Sequence, residues 1–481
     1  MKPSIPFLLA FLALPCLAQE GNPFVTEEHS EEATPQEPAG APFINLVEQI
    51  LVPPALLDPW LEQHPMKGDA SELRAAIQGW IAEGKATLDE TGISTSISGR
   101  ECSNESILER IYATEFEPAE PGEWPRPTAF ETRNTGYSSE GNAGVYKDKP
   151  AVFAELNFVR MLQSSSDFPL SEKTREPDDI FIPRFQSLLI ERSEQNADEG
   201  SGEEIAEENP EGASDDSDPF APGKSKERGL ARQIPFTPGP IHLAARGIDQ
   251  KGQENKEAQA RLVFFRGAIA EKSKASKEVL PENLSISARL IRVDHRAFSD
   301  WLQKTGLLSV PTAAWPAVAA WTKEGKAETL TALSGINRVG TLSKLEDIVE
   351  VTYPTEWEPG GRETTEDGKP GPEEFPTGTS FETRNTGSSL DARLVENPDG
   401  ATTLRMSLSR VILGGHSVHS RIFRDRKWQP AVTFPVFTTN RWNSEQALKR
   451  GEWILIGTGA DIDANGKFNP VSCVLAFLKV E

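Results

Sequence analysis

The heptapeptide FETRNTG occurs twice in this chain, at Phe130–Gly136 and at Phe381–Gly387. Self-similarity of this kind is the sequence signature of a repeated structural unit. Upstream of the motif, a constant offset of 241 residues aligns the two regions without a gap: Val52 falls on Val293, Trp60 on Trp301 and Trp80 on Trp321. The sequence therefore predicts two diverged copies of one unit.

The offset changes downstream of the motif, which locates an insertion. Phe185 matches Phe437 at an offset of 252, whereas Gly239 matches Gly451 at an offset of 212. The fall in the offset from 252 to 212 means that copy one has 40 more residues between these two positions than copy two. We therefore predict that the acidic stretch at about 194–229 is an insertion in copy one alone. We predict copy one at 42–270, a polar linker at 271–280 and copy two at 281–481.

The N-terminus has the layout of a cleavable export signal at 1–18. Lys2 precedes an apolar run, and Cys16-Leu17-Ala18 forms a small-residue ending. A lipoprotein modified at Cys16 is the alternative, but Pro15 stands where such sites have a small residue. No later apolar run reaches the length of about 20 residues that a membrane-spanning helix needs, so we predict no transmembrane helix. The expected location is the periplasm or the outer membrane, with secretion as an alternative.

The formal charge of −23 is concentrated in two segments. Glu20–Glu37 holds six acidic residues, and Glu194–Asp218 holds eleven without a Lys or Arg. Both segments are poor in aromatic residues and cannot bury enough apolar area to offset the entropy of ordering. We predict that 19–41 and the insert at about 194–229 are disordered. The rest of the chain lacks the clustered basic face that nucleic-acid binding requires.

Local patterns predict an α+β fold of two tandem units, each with an N-terminal strand-helix-helix part and a mostly antiparallel β remainder. The first strands are predicted at 45–52 and 285–293, and the helices at 55–63, 71–83 and 295–305. The FETRNTG motif alternates like a strand and is predicted to end at a glycine turn. In copy two, 390–395 and 403–408 flank Asn397-Pro398-Asp399-Gly400, which predicts a hairpin.

This order of motifs resembles the C-terminal module of bacterial secretins, proteins of the type II and III secretion superfamily, in forms from Verrucomicrobia and Planctomycetes. The resemblance lies in the TYP strand, the Pro-rich loop, FETRNTG and the NPDG turn. It extends to the tracts 435–441 and 451–457, which copy one matches only at Pro183, Phe185 and Gly239. The resemblance implies a non-enzymatic envelope protein with protein partners, self-association among them. Doubling of the module departs from the family pattern and argues against a pore.

The sequence predicts no catalytic, cofactor-binding or metal-binding residues. His416 and His419 lie on opposite faces of a predicted strand, which is unsuitable for a shared metal. Asp461–Gly466 matches the first half of a calcium loop, but the twelfth position is Ser472, and a polar hairpin loop is favoured. Glu131 with Arg133 and Glu382 with Arg384 are interpreted as a structural ladder of charges along the strand.

Two thiols and a set of tryptophans leave further alternatives open. After signal removal only Cys102 and Cys473 remain; a disulfide between them is one alternative, and two buried thiols are favoured because the positions are not equivalent in the repeat. The alternative function is an exported binding module for polysaccharide or protein. Its candidate aromatic platform is Trp124, Trp315, Trp428 and Trp442. A hydrolase ranks third.

Overall fold

The computed structural model describes most of the chain from Gly40 to Glu481, and the structural statements below refer to that part. The predicted signal peptide, the acidic insert at 194–229, most of the acidic segment at 19–41 and most of the linker lie outside the described residues. The described residues are 40–66, 68–117, 126–162, 184–191, 233–249, 259–272, 280–358, 360, 362–364, 370–397, 401–424, 427–462 and 468–481.

Nineteen β-strands and four α-helices form within these residues. The helices are α1 (Pro54–Gln63), α2 (Ser71–Ala82), α3 (His295–Lys304) and α4 (Val310–Lys323), with a 3₁₀ turn at Leu307–Ser309. The strands of the first half are β1 (Pro42–Val52), β2 (Thr87–Ile97), β3 (Cys102–Glu117), β4 (Arg126–Tyr146), β5 (Lys149–Leu162), β6 (Arg184–Ile190), β7 (Ile234–Phe236), β8 (His242–Asp249) and β9 (Gln259–Ile269). Those of the second half are β10 (Asn283–Asp294), β11 (Ala327–Arg338), β12 (Leu342–Glu358), β13 (Arg362–Thr364), β14 (Pro370–Glu373), β15 (Thr377–Glu396), β16 (Thr402–Arg424), β17 (Lys427–Ala447), β18 (Ile454–Ile462) and β19 (Phe468–Val480).

The predicted α+β class is wrong, because the fold is predominantly antiparallel β with two large sheets. The predicted helices at 55–63, 71–83 and 295–305 are confirmed, but no helix exceeds 14 residues, whereas β16 runs for 23. The class was wrong because the helices were treated as a separate part of each unit, whereas they form one layer on a face of the eight-stranded sheet.

The two sheets are each built from both halves of the chain. We call residues 42–270 the N-terminal half and residues 281–481 the C-terminal half. The eight-stranded sheet has the order β11-β10-β19-β18-β2-β1-β9-β8, and the nine-stranded sheet has the path β12-β15-β16-β17-β3-β4-β5-β6 with β7 beside β5. In each sheet four consecutive strands come from the C-terminal half and the next four from the N-terminal half. Within each group of four, the strands follow the same order.

Irregularities in strand pairing also fall at corresponding positions of the two halves. The β1–β2 ladder shifts register between Gln49 and Ile50, and the β10–β11 ladder shifts between Leu290 and Ile291. The β3–β4 ladder shifts register after Ala113, and the β12–β15 ladder shifts after Pro354. Each of these pairs differs by the offset of 241 that aligns the sequence. Matching bulges mean that equivalent residues face the same side in each half.

The core has three layers: helices, the eight-stranded sheet and the nine-stranded sheet. Between the sheets, Ile286 of β10 packs in one cluster with Leu408 of β16, and Phe265 of β9 packs in another with Val152 of β5. Helices cover the other face of the eight-stranded sheet, where Ile77 of α2 and residues of α3 and α4 are buried. Burial of this apolar area stabilises the stack, at about 25 cal/mol for each Å².

The glycine of the FETRNTG motif lies inside a strand, so the prediction of a strand ending at a glycine turn is wrong. Gly136 and Gly387 have φ angles of 122° and 113°, and β4 and β15 continue beyond them. A Cβ atom at either position would lie 2.1 Å from the carbonyl oxygen of Ser106 or Asp347 on the neighbouring strand. Glycine is therefore required here by the close approach of two backbones as well as by its φ angle. The predicted hairpin is confirmed, since Leu390 pairs with Leu408 across β15 and β16.

Candidate interaction site at the joint between the two halves

The two halves meet edge to edge, and we call this contact the inner joint. In the nine-stranded sheet, β17 pairs with β3 in antiparallel register from Phe437 opposite Glu109 to Asn443 opposite Ser103. In the eight-stranded sheet, β18 approaches β2 with Gly457 opposite Ser94. Antiparallel pairing supplies hydrogen bonds to backbone groups that an edge strand would otherwise leave unpaired.

Buried polar side chains reinforce the inner joint between β18 and β2. Thr458 accepts a hydrogen bond at Oγ1 from the Ile93 amide at 2.8 Å and donates from Oγ1 to the Thr91 carbonyl at 2.6 Å. The indole of Trp442, only 1% exposed, donates to the Thr458 carbonyl at 3.0 Å. Asn104 donates to the same carbonyl at 2.8 Å. The hydrogen bonds of Thr458 with Ile93 and Thr91, and that of Asn104 with the Thr458 carbonyl, form only when both halves are present, whereas the Trp442 bond lies within the C-terminal half. The bonds that cross the joint favour one arrangement of the two halves.

The helical layer adds a charged contact across the inner joint. Arg74 of α2 donates from Nε and Nη2 to the two carboxylate oxygens of Glu48 on β1, at 2.8 and 2.6 Å, and from Nη2 to the Ser299 hydroxyl on α3 at 3.2 Å. The side chains of Arg74 and Glu48 are 0% and 3% exposed. Arg296 of α3 also donates to the Ile81 carbonyl on α2. The hydrogen bonds from Arg74 to Ser299 and from Arg296 to the Ile81 carbonyl therefore hold α3 against the N-terminal half, while Glu48 fixes the Arg74 side chain in place.

The glutamates of the FETRNTG motif bind tyrosines on the neighbouring strand. Glu131 accepts a hydrogen bond from the Tyr112 hydroxyl at 3.1 Å, and Glu382 accepts one from the Tyr353 hydroxyl at 3.2 Å. Burial, together with the adjacent Glu382 carboxylate, raises the pKa of Tyr353 to about 12. For Tyr112, burial and the Glu131 carboxylate likewise raise the pKa of the phenol. Both tyrosines therefore act as neutral hydrogen-bond donors at neutral pH.

The arginines of the motif lie over phenylalanine rings. The Arg133 guanidinium carbon lies 4.7 Å from the centre of the Phe185 ring, and the Arg384 guanidinium carbon lies 6.0 Å from the centre of the Phe437 ring. Arg384 also forms an ion pair with Glu109 on β3, across the inner joint. Desolvation raises the pKa of Glu109, and the positive charges of Arg384 and Arg441 oppose that rise.

These contacts differ from the predicted ladder of Glu and Arg. The motif glutamates bind tyrosine hydroxyls and the arginines cover aromatic rings, so the motif charges interact with neighbouring strands. Glu48, Arg74 and Glu109 were not identified from the sequence. The one sequence signal for these residues is a charged side chain within an otherwise apolar strand or helix pattern. Such a residue is more often exposed to solvent than buried in an ion pair.

The residues considered for metal binding are placed apart or already paired. His416 is exposed, whereas His419 is buried against the ring of Phe434, and burial lowers the pKa of His419 to about 4. Asp461 accepts hydrogen bonds at Oδ2 from Arg292 at 2.8 Å and from Ser472 at 2.7 Å. Residues 463–467 of the calcium-like loop lie outside the described part. Within that part, no group of three or more His, Cys, Asp or Glu is arranged to hold a metal.

Both cysteines are buried, and two of the four candidate tryptophans, Trp315 and Trp442, pack in or against the core. Cys102 and Cys473 are both buried free thiols, and burial raises the pKa of each. Trp315 stacks on Trp453 with ring centroids 4.5 Å apart, and Arg289 lies over both rings. With Trp442 buried in the inner joint, these tryptophans present no shared open face. Trp124 and the side chain of Trp428 lie outside what the structure describes.

Comparison with known proteins gives few matches. No protein-family model and no curated protein matches the chain. One similar solved structure is the InvG secretin domain β-barrel from the Salmonella SPI-1 injectisome NC-base, with a TM-score of 0.20 and 7% sequence identity over 50% of this chain and 73% of that chain. Another is the V. cholerae type IV competence pilus secretin PilQ, with a TM-score of 0.18 and 8% identity over 92% of this chain and 61% of that chain.

Both similar structures are therefore secretins of secretion or pilus systems, but TM-scores this far below 0.5 carry no argument about fold or function. This chain spans less than two thirds of the length of PilQ. No helix of the described residues is long and apolar enough to cross a membrane.

Proposed function

We propose that this chain is an exported structural protein of the bacterial cell envelope, a secretin-related component of a secretion or pilus-type assembly, and that it is not an enzyme. In this proposal the two halves are duplicated copies of one structural unit. The main support for this proposal is that the charged residues of the repeated FETRNTG motif contact neighbouring strands. Glu131 and Glu382 bind tyrosines, and Arg384 binds Glu109, so the strongest repeated motif joins strands.

The architecture supports a structural role in a second way. Both sheets run through the two halves. At the inner joint, Thr458 donates to the Thr91 carbonyl and Asn104 donates to the Thr458 carbonyl. Hydrogen bonds between the halves hold them in one arrangement, which suits a structural role.

The alternative of a polysaccharide-binding module receives less support. A sugar platform needs aromatic faces open to solvent, but Trp315 and Trp453 cover each other and Trp442 is buried.

Fractionation of the native host tests the proposal. We expect an epitope-tagged chain to be recovered with the cell envelope and to co-purify with envelope proteins. The matched control lacks residues 2–18 and should stay in the cytoplasm, because it lacks the predicted export signal. Recovery of the exported chain as a soluble periplasmic monomer without partners would contradict the proposal.

A further inference from the structure

The described strands end each sheet in two different open edges. The eight-stranded sheet ends in β11 on one side and β8 on the other, and the nine-stranded sheet ends in β12 and β6. We call β11 and β12 the C-half edge, and β6 and β8 the N-half edge. At the inner joint, the strands that correspond to the C-half edge are β2 and β3, and those that correspond to the N-half edge are β18 and β17.

The inner joint therefore joins two unlike surfaces of two like units. Each half carries both surfaces but uses only one of them at the inner joint. The C-half edge and the N-half edge are therefore left unpaired, and they are complementary because their equivalents already pair at the inner joint. We propose that the chain binds further copies of itself head to tail, with the N-half edge of one chain pairing with the C-half edge of the next. This inference deepens the proposed structural function, and it rests on that function for its biological meaning only.

Exposed apolar residues mark the C-half edge. Val349 on β12 is 67% exposed, whereas Leu108, its counterpart at the offset of 241, is 3% exposed in the inner joint. Ile336 on β11 is 74% exposed, whereas its counterpart Thr95 is 2% exposed. The C-terminal half thus covers Leu108 and Thr95 at the inner joint. The equivalent residues of the C-half edge, Val349 and Ile336, are apolar and remain exposed. Long, apolar, unpaired edges are avoided in natural monomers because they pair with other chains.

The phenylalanine of the repeated motif follows the same pattern. Phe130 packs against Phe434 of the C-terminal half with ring centroids 4.5 Å apart, and edge-on against His419. Its counterpart Phe381 is 59% exposed beside the C-half edge. A second chain placed as in the inner joint would bring its N-terminal half against this ring.

Charges repeat in a complementary way. The ion pair between Arg384 and Glu109 crosses the inner joint. The counterpart of Arg384 is Arg133 near the N-half edge, and the counterpart of Glu109 is Glu350 on the C-half edge. Both counterparts are exposed in the single chain. Head-to-tail pairing would place the Arg133 of one chain beside the Glu350 of the next.

The register of the proposed contact follows from that of the inner joint. Phe437 lies opposite Glu109 and Thr438 opposite Leu108 in the β17–β3 ladder. The equivalent ladder between chains pairs β6 with β12 and places Gln186 opposite Val349. This register is the one that also brings Arg133 to Glu350, and a slip by one residue would turn every side chain to the other face.

A second copy of this chain fits the edges better than an unrelated partner. Both complementary surfaces are present on the same chain, and the chain already forms the contact once within itself. An unrelated strand could cover Val349, but it would have no reason to match the charge pattern of Arg133 and Glu350 together.

Sedimentation of the purified full chain tests the inference. We expect the wild-type protein to form species above the 52.7 kDa chain mass that grow with concentration. Val349→Lys should weaken self-association at least tenfold, because it places an unpaired charge in the contact. The matched control is Val471→Lys, since Val471 is also 67% exposed but lies on β19, away from both open edges. The control should associate like wild type, with an unchanged circular dichroism spectrum in both variants.

Charge reversal and cross-linking identify the surfaces directly. Arg133→Glu and Glu350→Arg should each weaken association, and the double variant should restore it. Gln186→Cys with Val349→Cys should give disulfide-linked multimers on mild oxidation, whereas Gln186→Cys with Val471→Cys should not. A wild-type chain that stays monomeric, or association insensitive to Val349→Lys and to charge reversal, would overturn the head-to-tail inference. Recovery with the envelope in the native host would still support the proposed function in that case.

Discussion

Arg74 and Glu48 form a fully buried, two-point ion pair that lies where α2 of the N-terminal half meets α3 of the C-terminal half. The guanidinium donates at 2.6 and 2.8 Å, and Ser299 accepts a further hydrogen bond from it. The corresponding residues 241 positions later are Arg289 and Trp315, which interact through a cation–π contact instead. The two halves thus share a backbone arrangement, but an ion pair occupies these positions in the N-terminal half and a cation–π contact occupies them in the C-terminal half.

Loss of Arg74 should destabilise the fold strongly. Arg74→Met leaves the Glu48 carboxylate buried without its partner, and removing one member of such a pair costs about 3–5 kcal/mol. Arg246→Met, which breaks the exposed pair with Asp58, should cost about 0–1 kcal/mol and serves as the control. Urea unfolding measures both. Equal losses in the two variants would show that Glu48 is solvated and not buried.

The motif glycine should tolerate no side chain. Gly387→Ala places a Cβ atom against the Asp347 carbonyl, so β15 and β12 must separate locally. Gly415→Ala is the matched control, because Gly415 also has a positive φ, 102°, but no atom lies within 4 Å of a Cβ there. Backbone strain alone costs about 1–3 kcal/mol in the control. We expect a clearly larger loss for Gly387→Ala in thermal unfolding, and similar losses would refute the close-approach argument.

Glu90 should make the folded state less stable as the pH rises. Burial raises its pKa from 4.5 to about 8, so the folded state holds the carboxyl protonated at neutral pH. A raised pKa contributes stability that is fully present below pH 4.5 and is lost as the pH rises through about 8. Between about pH 5 and 8 the free energy of unfolding should therefore fall, at a limit of about 1.4 kcal/mol for each pH unit in the middle of this range.

Glu90→Gln isolates this effect from other groups. The variant should lose the decline in urea stability between about pH 5 and 8, whereas Glu83→Gln, at an exposed glutamate, should keep it. A decline of the same size in Glu90→Gln would assign the pH dependence to another residue.

Removal of a tyrosine hydroxyl should reveal the structural role of the motif glutamates. Tyr353→Phe breaks the hydrogen bond to Glu382 and should cost about 0.5–1.5 kcal/mol. Tyr112→Phe should show a similar loss through Glu131. A double-mutant cycle of Tyr353→Phe with Glu382→Gln measures the coupling by chemical denaturation. If the losses in unfolding free energy of the two single variants simply add in the double variant, the hydrogen bond between Tyr353 and Glu382 does not stabilise the fold.

Local features of the fold were predictable from the sequence. The helices at 55–63, 71–83 and 295–305 show apolar residues at helical spacing, and the β15–β16 hairpin has a recognisable turn sequence. These signals depend on neighbours along the chain, which a single sequence displays.

Features that depend on distant parts of the chain were not predictable. The pairing of β17 with β3 joins residues more than 300 positions apart, and no local pattern reports such a contact. The position of Gly387 against the Asp347 carbonyl is likewise set by a neighbouring strand, so the glycine resembled an ordinary turn. The candidate site consists almost entirely of such contacts. The sequence therefore identified the arginines and glutamates of the FETRNTG motif, but neither their partners nor the buried charges Glu48, Arg74 and Glu109.

We propose that this protein works by joining sheet edges into an envelope assembly. The most direct measurement is the native mass of the chain after mild extraction from the envelope of its host, by mass photometry or native mass spectrometry. We expect a complex well above the 52.7 kDa of one chain, with cross-links between residues of β6 and β12 from different copies. Recovery as a monomer without partners would contradict it.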